Sequence, residues 1–219
     1  MFNPGSFYLG HLGPVPVYIA GEAIFTLLLL WMWSDRTLAG FIILLMAFIT
    51  VILIHEFGHA AVARWRGMAG VTITIAAFGG FCSYQGDRRP GNELLISLAG
   101  PFANFITAGV LFAINLWLLP FSRLDPMIGG FLGAVMMWSL YLGLFNLLPI
   151  YPLDGGQATL ATSRMMASRE TNARRFTLSL SVVTAFAVFA GYVSFVGQPT
   201  LFTILILGML LFSAFRDLR

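Results

Sequence analysis

Long uninterrupted runs of apolar residues dominate this sequence and limit the folds that are open to it. A run of about 20 apolar residues is long enough to cross the hydrocarbon core of a bilayer as a helix. Since 58% of the 219 residues are hydrophobic and 10% are charged, too little polar surface remains to cover a soluble globule. The sequence therefore predicts an all-α polytopic membrane protein that forms one intramembrane domain over residues 1–219. Its six predicted spans are residues 17–33, 38–63, 94–119, 127–148, 176–195 and 201–215.

The distribution of basic residues predicts the orientation in the membrane. All 12 of them are arginine. With six spans, Arg36 and Arg123 fall on one side, and the remaining arginines lie on the side of both termini. By the positive-inside rule we expect the termini to be cytoplasmic. The arginines act as topological anchors that contact lipid headgroups, and this role accounts for the net charge of +3. No nucleic-acid partner is therefore predicted.

Three ionisable residues interrupt the second apolar run, in the sequence HEFGH. His55 and His59 are one helical turn apart, so both imidazoles project from the same face and can share one metal ion. Glu56 is placed to take a proton from a water molecule and pass it to a leaving amine. The alternative is a pair of buried structural histidines. Ionisable groups are costly inside a membrane helix, which favours the functional interpretation.

Two histidines need a third protein ligand to hold a catalytic zinc ion. Asp154 is the favoured candidate, because Pro149 and Pro152 break the fourth span before it and turn the segment towards protein or a watery cavity. The alternative makes Asp154 the N-cap of the next helix. Glu22, inside the first span, is a second candidate that otherwise lines a water path or pairs with an arginine. For His11 an exposed or structural role is favoured over ligation.

Taken together, the motifs resemble those of the site-2 protease family of intramembrane zinc metalloproteases. The resemblance rests on HEFGH in the second span, SLAGPFANF in the third and NLLPIYPLDGG after the fourth, and it covers about residues 7–160. It implies that His55, His59 and Asp154 bind zinc and that Glu56 is the catalytic base. We expect a compact form, without the PDZ insertion or the CBS appendage of some members.

The same resemblance implies a substrate class and a location. The family cleaves transmembrane segments of other proteins, often anti-sigma factors or membrane-tethered transcription regulators. We therefore expect a membrane-protein substrate of that kind. We also expect a multi-pass protein of a bacterial or archaeal cell membrane.

The stretch VTITIAAFGGFCSY, residues 71–84, predicts a β-hairpin that turns at Gly79 and Gly80. It is too short to span, so we expect a re-entrant hairpin on the cytoplasmic side. Its open edge would receive an unwound substrate as an added strand, with both glycines at the substrate. The alternative is a hairpin that only plugs the core. Asn104 and Asn146 are candidates for hydrogen bonds to the substrate backbone or the developing oxyanion, with interhelical hydrogen bonds as the alternative.

Two other functions use the same residues. A metal-binding or transport protein would place further ligands along a membrane path, and His, Cys and intramembrane carboxylates are scarce beyond this cluster. A non-catalytic relative acting as a binding partner is expected to lack Glu56 or a ligand, and none is missing. The sequence therefore favours a zinc metalloprotease that hydrolyses a peptide bond in the cytoplasmic half of the bilayer.

Overall fold

The computed structural model describes residues 5–34, 36–77 and 79–218, which form seven helices and one four-stranded sheet. The strands are β1 (Ser6–Leu12), β2 (Val15–Ala20), β3 (Ala69–Ala76) and β4 (Gly79–Gln85). The helices are α1 (Ile24–Trp33), α2 (Leu38–Trp65), α3 (Pro90–Ala113), α4 (Pro126–Asn146), α5 (Asp154–Met166), α6 (Glu170–Phe195) and α7 (Leu201–Leu218). A short π-helix, Ile114–Leu118, extends α3.

Four of the helices are long and apolar enough to cross a membrane. They are α2, α3 with its π-helical extension, α4 and α6. These four correspond to the second, third, fourth and fifth predicted spans, and their bounds differ from the prediction by a few residues. The predicted total of six is not reached among the described residues, where α7 has 18 residues and is not one of the four.

The first predicted span, residues 17–33, is wrong in its first part. Residues 17–20 belong to β2, and a 3₁₀ turn, Gly21–Ala23, leads into an α1 of ten residues. Ten residues make about 15 Å of helix, half the thickness of a typical hydrocarbon core. A buried strand followed by a short apolar helix has the same hydropathy as one span, and hydropathy alone does not distinguish the two.

The four strands form one sheet in the order β1, β2, β3, β4. Two antiparallel hairpins, β1–β2 and β3–β4, are joined by parallel pairing of β2 with β3, in which Val17 lies opposite Ile73 and Ile19 opposite Ile75. Strand β3 is therefore hydrogen-bonded on both sides. In the described part of the chain, β1 and β4 are the outer strands.

The predicted hairpin over residues 71–84 is confirmed as the β3–β4 pair, but its turn was misplaced. Gly79 and Gly80 lie inside β4, opposite Ala76 and Ile75, so the chain reverses before Gly79. Strands β1 and β2 were not predicted.

Contacts divide the chain into two compact units. The first contains Met1–Asp87 and Ala99–Gly143, and the second contains Arg88–Leu98 and Leu144–Arg219. In the first, β3 and β4 pack on α2, and α2 packs on α4 through a buried cluster that includes Val51 and Val135. The single domain over residues 1–219 stays a prediction.

In the second unit, α5 packs on α6 and α6 on α7. Arg164 of α5 binds two glutamates through its guanidinium group, Glu93 at 2.9 Å and Glu170 at 2.7 Å. Helix α5 begins against the chain that precedes it, since a Cβ atom on Gly155 would lie 2.2 Å from the carbonyl oxygen of Leu147. Gly156 makes an equally close approach to Tyr151, so two consecutive glycines are needed there.

Candidate metal centre

Helix α2 carries His55, Glu56 and His59, and all three side chains are buried. The two histidines are one turn apart, and their rings meet edge to face at an interplanar angle of 82°. Their Nε2 atoms lie 3.2 Å from each other. The predicted common face of the two histidines is therefore present in the fold.

The spacing of the two Nε2 atoms fits a shared metal ion. A tetrahedral zinc ion with Zn–N bonds of 2.0–2.1 Å separates two ligand nitrogens by about 3.3 Å. The observed 3.2 Å matches that separation. Two imidazole nitrogens this close need a proton or a cation between them, and a zinc ion satisfies both lone pairs at once.

Helix α3 lies directly against the histidines because small residues face them. A Cβ atom on Gly100 would lie 2.3 Å from Nε2 of His59. On the other helix, a Cβ atom on Gly58 would lie 2.5 Å from the carbonyl oxygen of Ala99. Small residues on both helices therefore allow the two backbones to approach closely. The particular importance of Gly100 was missed, although its spacing from Asn104 repeats the four-residue spacing of the histidines.

Asn104 contacts the other histidine. Its side chain is fully buried, and Nδ2 lies 3.3 Å from Nδ1 of His55. Its Oδ1 atom has no hydrogen-bond partner among the described residues. The fold thus brings the amide of Asn104 to the ring of a candidate ligand, while its role at a substrate stays a prediction.

Strand β4 covers Glu56. A Cβ atom on Gly80 would lie 2.9 Å from Cγ of Glu56, whereas a Cβ atom on Gly79 would meet nothing within 4 Å. Cys82 follows on the same strand. Burial raises the pKa of the Cys82 thiol to about 12, and the negative charge of Glu56 contributes to the shift. The approach of Gly80 and Cys82 to Glu56 was not predictable from the sequence, because it depends on the packing of β4 on α2.

Asp154 belongs to the second unit, where it is the first residue of α5 and is buried. The N-cap of α5 is Leu153, whose side chain makes no capping hydrogen bond. The interpretation of Asp154 as an ordinary N-cap is therefore wrong. Asn146, the last residue of α4, is half-buried, and nothing in the fold tests its predicted contact with substrate.

The two remaining candidates lie in the first unit, outside its long helices. Glu22 is exposed in the 3₁₀ turn before α1, so it lies at the start of the first apolar helix and not within the long run that was predicted. His11 lies exposed on β1, where its Nδ1 is hydrogen-bonded to the hydroxyl of Tyr8. This agrees with the favoured interpretation of His11 as exposed or structural.

Comparison with known proteins gives a family match and several relatives. The family model for peptidase family M50 matches this chain over residues 43–125 and 124–190. A zinc metalloprotease of Methanocaldococcus jannaschii is 33% identical over 118 residues, which cover 53% of this chain and 32% of that protein. The stage IV sporulation protein FB of Bacillus subtilis is 28% identical over 122 residues, which cover 55% of this chain and 40% of that protein.

One solved structure resembles nearly the whole chain. The site-2 protease from Methanocaldococcus jannaschii superposes with a TM-score of 0.66, covering 98% of this chain and 95% of that one, at 23% sequence identity. At that identity the likeness concerns the fold. The chain spans between about a third and two fifths of the length of the two curated relatives described above.

Proposed function

This chain belongs to peptidase family M50, and from that membership we propose that it hydrolyses peptide bonds in transmembrane segments of other membrane proteins. It is an integral membrane protein with four helices long and apolar enough to cross a bilayer. Its cofactor is zinc, in keeping with the zinc metalloproteases among its relatives. The observation that carries the proposal is the 3.2 Å spacing of two buried histidine nitrogens beside a buried glutamate.

In the proposed site His55, His59 and Asp154 hold the zinc ion. Two imidazoles and one carboxylate, with one position left open, form a donor set of catalytic zinc sites. All three side chains are buried, and Asp154 is the first residue of α5 and not its N-cap. Burial favours ligation because a bound cation stabilises a carboxylate that is removed from water.

Glu56 is the proposed general base. A bound zinc ion acts as a Lewis acid on the scissile carbonyl group. Glu56 takes a proton from the attacking water as its oxygen bonds to the carbonyl carbon, and it gives that proton to the amine as the C–N bond breaks. Gly80 of β4 leaves room for this carboxylate beside the first histidine, since a Cβ atom at Gly80 would lie 2.9 Å from Cγ of Glu56.

Strand β4 is the proposed docking edge for substrate. A transmembrane helix keeps its peptide carbonyls in intrahelical hydrogen bonds, so the enzyme must unwind it before hydrolysis. An outer strand offers unpaired backbone groups to an extended segment, and β4 is such a strand next to Glu56. Gly79 and Gly80 would contact the substrate there, while Asn104 and Asn146 remain candidates for polar contacts with it.

The proposal extends to the membrane arrangement and the substrate. Six membrane helices result when the short helix Gly21–Trp33 and α7 cross where the bilayer thins, and both termini then face the cytoplasm of a bacterial or archaeal cell. The substrate is a membrane protein such as an anti-sigma factor or a membrane-tethered regulator. The bilayer is the other partner, and no nucleic acid is involved.

Single substitutions separate the ligands from the base. Zinc content of purified protein should fall in His55→Ala, His59→Ala and Asp154→Ala, because each removes a ligand. Glu56→Gln keeps the shape of the side chain, so zinc should remain while proteolysis falls by at least about 100-fold. Glu22→Ala is the control, since its exposed carboxylate is expected to leave zinc unchanged.

The substrate follows from a comparison of two cultures. Membranes from cells with the active enzyme and with Glu56→Gln would be compared by quantitative proteomics, and proteins that accumulate uncut in the variant are the substrates. If the membranes with Glu56→Gln show the same cleavage as those with the active enzyme, the proposed mechanism is wrong. If Asp154→Ala retains zinc and Glu22→Ala loses it, the third ligand is wrongly assigned.

A further inference from the structure

Helix α3 meets the histidine pair with a matching pair of residues. Gly100 and Asn104 are four residues apart, like His55 and His59 on α2. Gly100 lies against the ring of His59, and Asn104 lies against the ring of His55. Each histidine ring therefore has one α3 residue beside it: Gly100 is nearest to Nε2 of His59, and Asn104 is nearest to Nδ1 of His55.

The protonation of the imidazole ring determines which end of the Asn104 amide must point towards His55. A neutral imidazole carries a proton on one nitrogen and a lone pair on the other. Because the Nε2 atoms of the two histidines face each other at 3.2 Å, a metal ion held between them would use the Nε2 lone pairs, and Nδ1 of His55 would then carry the proton. A protonated Nδ1 is a donor, and it needs an acceptor at the position where Asn104 lies 3.3 Å away.

The amide of Asn104 can supply that acceptor without moving its carbon atoms. The carbonyl and amino ends of an asparagine side chain have nearly the same shape, so either end can face Nδ1. With the amino end inward, two donors would oppose each other, and Oδ1 is the atom left without a partner among the described residues. With the carbonyl end inward, Nδ1–H donates to Oδ1 and fixes the ring with its Nε2 lone pair towards the metal.

We propose that Gly100 and Asn104 are the positioning residues of the histidine pair. Asn104 accepts a hydrogen bond from Nδ1–H of His55 and thereby selects the metal-binding tautomer. Gly100 leaves room for the ring of His59, which a Cβ atom at 2.3 Å from Nε2 would displace. This inference rests on the proposed function of the histidines as metal ligands, and it assigns Asn104 to the histidine in place of the substrate.

Zinc affinity of the full chain in detergent, measured by competition with a chromogenic chelator, tests the assignment without an activity assay. Asn104→Leu removes the acceptor and should weaken zinc binding about 10- to 100-fold, and Asn104→Asp keeps an acceptor and should bind within a few-fold of the unmodified chain. Gly100→Ala should also weaken binding. Gly109→Ala is its matched control, because a Cβ atom there meets nothing within 4 Å.

Two results would overturn the proposal. Equal loss of zinc in Asn104→Asp and Asn104→Leu would mean that Asn104 acts as a donor, and unchanged affinity in Asn104→Leu would leave it no role at the metal. If Asn104→Leu does not fold, Asn104→Asp decides alone, since retained affinity supports an acceptor and lost affinity contradicts it. His55→Ala distinguishes a failure of the proposed function from a failure of the inference about Asn104. If His55→Ala keeps zinc, the proposed function is wrong. If it loses zinc while Asn104→Leu keeps it, only the inference about Asn104 is wrong.

Discussion

At the scale of single residues, Gly80 sets how closely β4 approaches the carboxylate of Glu56. A methyl group at this position would lie 2.9 Å from Cγ and 3.0 Å from Oε1 of that side chain, so Gly80→Ala should push the carboxylate aside. We expect proteolysis to fall by about 10-fold or more while zinc content is unchanged. Gly109→Ala on α3 is the control, because a Cβ atom there meets nothing within 4 Å. Equal activity in the two variants would argue against a positioned base.

The thiol of Cys82 reports on the same carboxylate. Since burial and the charge of Glu56 raise its pKa to about 12, the thiolate is scarce at pH 8, and alkylation by iodoacetamide should be slow. The rate should rise about tenfold for each pH unit up to that pKa. In zinc-free protein, Glu56→Gln removes one cause of the shift and should speed alkylation. Mass spectrometry of the modified peptide gives the rates, and an unchanged rate in the variant would contradict the proximity.

The residues of the site differ in how far the sequence predicts them. The common face of His55 and His59 follows from helical periodicity, which needs only local structure. The approach of Gly80 to Glu56 and of Asn104 to His55 depends on which elements pack together. No local pattern contains that information, so these contacts were beyond prediction from one sequence.

At the scale of elements, β4 is the strand on which an edge-binding test belongs. Proline in β3, for example at Ile73, would remove an N–H group from a strand that is paired on both sides, and it would therefore damage the sheet itself. A proline scan over Phe81, Cys82 and Ser83 is sharper, because neighbouring residues direct their N–H groups to opposite sides of the strand. We expect the proline variants that remove an N–H group from the outer edge of β4 to lose substrate cleavage, while their zinc content and thermal stability are unchanged. If every proline that leaves the fold intact also leaves cleavage intact, the outer edge of β4 does not bind substrate.

The first apolar run shows why one element was mistaken for another. Hydropathy averages over residues 17–33 and cannot separate β2 from α1. The signals that mark the boundary are local: Gly13 and Pro14 form the turn between β1 and β2, and Gly21 starts the 3₁₀ turn that ends the strand. The long helices α2, α3, α4 and α6 were predictable because each exceeds the thickness of the bilayer as one uninterrupted run.

At the scale of the whole molecule, the arginine distribution predicts the topology. Reporter fusions near Arg169 and at the C-terminus should both report the cytoplasmic side, as the positive-inside rule requires. A fusion near Arg123 is the internal control, and it should report the opposite side. A cytoplasmic signal at Arg123 or an external one near Arg169 would reverse the proposed placement of the active site.

The parallel pairing of β2 with β3 also sets an order of events during translation. Residues 21–68, which include α1 and α2, separate the two strands, so β2 must wait roughly 2 to 10 seconds for its partner at typical rates of synthesis. The β1–β2 hairpin alone is only marginally stable in that interval. Strand β4 emerges later still, after the helix that carries the histidines. Every nascent chain shorter than about 80 residues therefore lacks the strand that covers the Glu56 carboxylate, and that strand is the last part of the sheet to form.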